Sequence, residues 1–142
     1  MGEILSRLET STTPEGPVIT LPELVLFDFD RAELKPEATA TLAEIAEVID
    51  FYEGAPVAIH GHTDDVGDEA YNDDLSRRRA EAVAAELATG HGIDRTRLDV
   101  AGLGERQPVV PNAQPDGTDN PDGRAQNRRV EVVIEGVAPP EA

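Results

Sequence analysis

In the segment spanning residues 72–88, Leu75, Arg79, Val83 and Leu87 recur at every fourth position, which places all four on one face of a helix. Arg79 therefore sits on the stripe that should turn toward the core, and a buried cation needs an anion. Just upstream, Val57-Ala58-Ile59-His60 reads as a strand ending near Gly61, and the loop after it carries Thr63 and Asp64. Strand-to-helix connections often build sites, and Asp64 in this loop is the candidate partner for Arg79. The pair suits two roles: opposite charges presented to a zwitterionic ligand, or an internal salt bridge pinning loop to helix.

The rest of the chain extends this strand–helix alternation. Leu24-Val25-Leu26-Phe27 is a β-rich apolar run. Pro36 followed by Leu42, Ile45, Ile49 and Tyr52 has helical spacing with proline in the first turn. Gly90 and Gly92 are stop signals for the 72–88 helix. Arg97–Gly102 and Val130–Ile134 read as two further strands, the last with polar Glu131 among apolar neighbours. The expected order is β-α-β-α-β-β. Parallel crossovers would make the first three strands neighbours and put both helices on one face of a mixed sheet. The fold class is α/β, in the form of an α+β two-layer sandwich. Residues 1–16, mixed in Ser, Thr, Pro, Gly and charge, read as a linker or tail, 17–136 as one domain, and 137–142 as a second tail. Residues 108–124, with four prolines and two glycines, read as a long loop.

Twenty-nine acidic against twelve basic residues give a formal charge of −17 over 142 residues. That balance argues against nucleic acid and anionic membrane surfaces as partners. No run of eighteen apolar residues is present and the start lacks a signal-peptide pattern, so this segment is not expected to insert directly into a membrane. With no cysteine the chain needs no disulfide, which permits an oxidising compartment.

Five ordered blocks resemble the peptidoglycan-binding OmpA-like domain family: Leu26-Phe27-Asp28-Phe29-Asp30 with Leu34 and Pro36; Gly61-His62-Thr63-Asp64; Asn72, Leu75-Ser76 and Arg79-Ala80; Gly102-Leu103-Gly104-Glu105 with Gln107-Pro108; and Asn127-Arg128-Arg129-Val130-Glu131. The resemblance implies a non-catalytic module that binds the diaminopimelate of peptidoglycan stem peptides, with Asp64 on the amine and Arg79 on the carboxylate. It places the chain in the cell envelope, outside the cytoplasm, as part of a parent whose signal or anchor lies elsewhere, and it leaves room for a homodimer. Arginine suits the carboxylate because its planar fork donates two parallel hydrogen bonds. Asn72 is expected chiefly to cap the helix ahead of Asp73 and Asp74, and otherwise to reach ligand. Thr63, and Phe29 and Asp30 at the end of the first strand, are candidates for the same pocket. Strand alternation lets at most one of Arg128 and Arg129 reach it; Arg128 is expected, with Arg124 as a further candidate.

His60-Gly61-His62-Thr63-Asp64-Asp65 resembles, less one histidine, the metal block of the metallo-β-lactamase superfamily, which makes a zinc hydrolase the alternative function. A zinc site wants at least three well-placed ligands, and only His91 remains downstream, so no metal and no cofactor are expected. Asp116, Asp119 and Asp122 miss the alternate-position spacing of a calcium loop. Ser76 lacks a nucleophile elbow, so no catalytic serine is expected. A ligand-free structural domain is the remaining alternative.

Overall fold

The computed structural model describes residues 9–14, 16–28 and 31–136. Among these residues, five strands form one sheet in the order β1-β2-β5-β3-β4. They are β1 (Glu9–Thr13), β2 (Gly16–Pro22), β3 (Val57–His62), β4 (Leu98–Gly104) and β5 (Arg129–Ile134). The helices are α1 (Glu23–Leu26), α2 (Ala38–Phe51), α3 (Glu69–His91) and α4 (Pro121–Asn127), with a 3₁₀ turn at Arg95–Arg97. The sheet is mixed: β3 and β4 are parallel, as the long α3 crossover between them requires, and every other pair is antiparallel.

Period-2 alternation separates the two faces. Ile19 and Leu21 of β2, Val57 and Ile59 of β3, and Val130, Val132 and Ile134 of β5 join Leu42, Ile45 and Ile49 of α2 and Val83 and Leu87 of α3 in the main core. The other face carries the small cluster Val18, Ala58 and Val133. The expected α3 stripe is buried as read, Arg79 included, and Gly92 closes the helix in the left-handed conformation at φ 73°. α3 lies unusually close to the sheet. A Cβ on Gly61 would run into the Ser76 carbonyl, and one on Gly102 would stand 2.5 Å from the Arg77 amide nitrogen. Arg97 ties α2 to the 3₁₀ turn: its guanidinium donates to the carbonyls of Ile49, Tyr52 and Ala55 at 2.9 to 3.3 Å, satisfying acceptors that a helix end leaves open.

The structure departs from four expectations. The apolar run 24–27 is not a strand: Phe27 N–H donates to the Glu23 carbonyl at 2.8 Å, making α1 a single helical turn. Leu26 and Phe27 are buried while Leu24 and Val25 are exposed. Two buried neighbours in succession are what a turn gives and a strand's alternation forbids. The first strands lie earlier instead. Val18–Leu21 sits in β2, and residues 9–13, expected within a linker, pair with it as edge strand β1. The parallel run of three strands is also absent, because β5 inserts antiparallel between β2 and β3. The stretch 108–124, read as one long loop, ends in the start of α4, whose Asn120 cap accepts from Gly123 N–H.

Candidate functional site

A cleft of about 340 Å³ opens where α1, the loop after β3, the first turns of α3 and the C-terminal end of α4 converge. Of the residues expected there, Thr63, Asp64, Asn72, Arg79, Arg124 and Arg128 line it. Phe29 and Asp30 lie outside the described residues. Glu23, which sequence reasoning did not single out, completes the wall.

Asp64 and Arg79 do not pair with one another. Asp64 Oδ2 accepts from Arg128 Nη1 at 2.6 Å, its Oδ1 accepts from Val66 N–H at 3.0 Å, and Arg124 Nε stands 3.9 Å from Oδ2. Arg79 donates from Nη1 to Glu23 Oε2 at 2.7 Å and from Nε to the Arg31 carbonyl at 2.8 Å. Its guanidinium also lies over the Phe27 ring, 5.1 Å from the centroid, a cation–π contact. Arg128 Nε comes within 3.5 Å of Glu23 Oε1. The charges thus alternate along the wall as Asp64, Arg128, Glu23, Arg79. Arg79 Nη2, Glu23 Oε1 and Arg128 Nε remain buried without a hydrogen-bond partner among the described residues.

Asn72 departs from expectation. Asp68 occupies the N-cap of α3, and Asn72, buried in the first turn, donates from Nδ2 to the carbonyls of Asp64 and Val66 at 3.3 and 3.0 Å. It fixes the loop that presents Asp64. Thr63 is fixed as well, its N–H on the Gly104 carbonyl and its hydroxyl on the Asp64 carbonyl. Arg128 and Arg129 diverge as alternation requires: Arg128 enters the cleft, while Arg129 bonds Glu131, Asn127 and Gln107.

His60 and His62 lie on the sheet face turned away from the helices. The cluster that forms around them takes Glu131, not Asp64, as its third member. Burial pushes the His62 imidazole below its ordinary range despite the nearby Glu131. Glu131 is held at about 2, first by its contact with His62, then by Arg129 against the cost of burial. In the acidic loop, Asp116 accepts from Thr118 and Asp119 pairs with Arg124, so these carboxylates serve turns and an ion pair.

Glu23 was legible only to someone reading 23–27 as helical, since positions i, i+3 and i+4 then bring Glu23, Leu26 and Phe27 to one side. Read as a strand, the segment gives no reason to count it.

The family model described as the OmpA family matches residues 26–121. A Gloeobacter violaceus protein named photosystem I P700 chlorophyll a apoprotein A2 is 49% identical over 131 residues, covering 92% of this chain and 15% of that protein. Outer membrane porin F of Pseudomonas aeruginosa is 40% identical over 114 residues, covering 80% of this chain and 31% of its own length. The chain therefore spans less than a third of each of these relatives. Among solved structures, the cell wall anchor of the type VI secretion system of Pseudomonas aeruginosa superimposes with a TM-score of 0.76 at 29% identity, covering 93% of this chain and 90% of that one.

Proposed function

Because the chain belongs to the OmpA family, we propose that it is a non-catalytic module that tethers a parent envelope protein to the cell wall by gripping the diaminopimelate of peptidoglycan stem peptides. The likeness to a cell wall anchor over nearly the full length of both chains supports the anchoring role. No helix among the described residues is long and apolar enough to cross a membrane.

One observation carries the ligand assignment. The cleft holds paired charges with one donor of Arg79 and one acceptor of Glu23 left over. The end of a diaminopimelate side chain carries an amine and a carboxylate on one carbon. Its carboxylate suits Arg79 Nη2 and Arg128 Nε, and its amine suits Asp64 and Glu23 Oε1, so the ligand adds hydrogen bonds without stripping any buried charge of its partner. A single small zwitterion offers little apolar area, so modest affinity is expected, raised by avidity on a repeating polymer.

The test is an amide-shift titration of the isotope-labelled chain with meso-diaminopimelate and, in parallel, with lysine. Saturable shifts at Asp64, Asn72 and Arg79 with diaminopimelate alone are expected. Asp64→Asn, which keeps shape but removes charge, should weaken sedimentation with purified peptidoglycan by more than about tenfold while the circular dichroism spectrum is retained. Sedimentation unchanged by Asp64→Asn, or shifts equal for lysine, would overturn the assignment.

A further inference from the structure

On the sheet face opposite the cleft's helices, β3 contributes His60 and His62, and β5, paired beside it with His60 opposite Glu131, contributes the carboxylate. Three ligand atoms from these residues all lie within 4.8 Å of one another. His62 is 1% exposed, and neither of its ring nitrogens makes a hydrogen bond with the described residues. A buried imidazole normally finds a partner for each nitrogen. Its Nε2 instead stands 3.4 Å from Glu131 Oε1. Two ligands held about 2.1 Å from one tetrahedral ion lie about 3.4 Å apart, so this pair already has the separation that a shared metal would impose.

We propose that His60, His62 and Glu131 form a binding site for a divalent first-row transition ion such as zinc, cobalt or nickel. Two imidazoles and one carboxylate are the donor set that such borderline ions favour over magnesium or calcium. Arg129 Nε holds Glu131 Oε2 at 2.9 Å, which fixes the carboxylate with Oε1 toward His62. Its guanidinium also brings a positive charge near the ion and limits the affinity. His60 is only half-buried, so its ring can swing onto the ion and the fourth position opens to water. The set spans two neighbouring strands of the rigid sheet, and it differs from the His-x-His-x-Asp block of the sequence, whose Asp64 lies in the cleft and is bound by Arg128.

The experiment uses the tag-free, chelator-washed chain titrated with cobalt(II), followed by the visible absorption of the bound ion, with zinc(II) displacing it. One equivalent is expected to saturate a four-coordinate spectrum. His60→Ala, at the half-exposed position where folding is least threatened, and Glu131→Gln should each weaken uptake by more than about tenfold. His91→Ala, on the far end of α3, should leave it unchanged. No saturable uptake, uptake undiminished by His60→Ala, or uptake lost with His91→Ala would overturn the site.

Discussion

At the scale of single residues, the cleft shows how buried charge is made tolerable. Arg79 reaches the core because a carboxylate, a carbonyl and an aromatic face all meet it. Which carboxylate that would be was beyond a reading of local spacing, since Glu23 is 56 positions away and Arg128 is 64 positions from Asp64. The helix stripe told that Arg79 needed an anion; the choice among anions was made by tertiary topology. His62 gives a titration consequence. Burial lowers its pKa from 6.5 in the folded chain, so below pH 6.5 the unfolded chain takes up a proton that the native state resists. Stability is therefore lost as pH falls from 6.5 toward the lowered value. Glu131 acts lower down: its contribution is complete above its ordinary 4.5 and is lost as pH falls through about 2. Thermal denaturation in chelator between pH 7 and 5 should show a shallower decline for His62→Gln than for the parent chain. Parallel declines would show that His62 does not carry the effect.

At the scale of elements, the segments with a clear period were legible: α2, α3, β3, β4 and β5 fall where spacing placed them, within a few residues at their ends. The N-terminal hairpin was not. Its inner strand holds the short run Val18–Leu21 between Pro17 and Pro22, and its outer strand Glu-Thr-Ser-Thr-Thr carries no apolar signal at all. Its place in the sheet rests on pairing to β2, which local sequence does not display. The approach of α3 to β3 and β4 makes a stricter demand. Gly61→Ala must push Ser76 and its helix outward, so it should destabilise the chain by at least about 2 kcal/mol, read as a lower urea midpoint. Because the shift also moves the helical turns on either side of Ser76, which bear Asn72 and Arg79, ligand affinity should fall with it. An unchanged midpoint would mean that helix and sheet are not in the contact described.

At the scale of the whole molecule, a formal charge of −17 makes self-repulsion a general opponent of the compact state. The ion pairs that matter most, in the cleft, are buried and weakly screened, whereas the acidic surplus is largely at the surface. Raising sodium chloride from about 10 to about 300 mM shortens the Debye length from ~30 to ~6 Å and should therefore raise the melting temperature by a few degrees. A fall would mean that surface attraction outweighs repulsion. The order of the sheet bears on how this molecule is made. Among the described residues, the hairpin β1–β2 and the pair β3–β4 touch in the sheet only through β5, the last of the five strands in chain order. A ribosome releasing residues in order would hold two unjoined half-sheets, each with a bare inner edge, until residues 129–134 emerge. Completion is thus a single late insertion between waiting edges, and a chain stopped before it is left open to pairing with a neighbour.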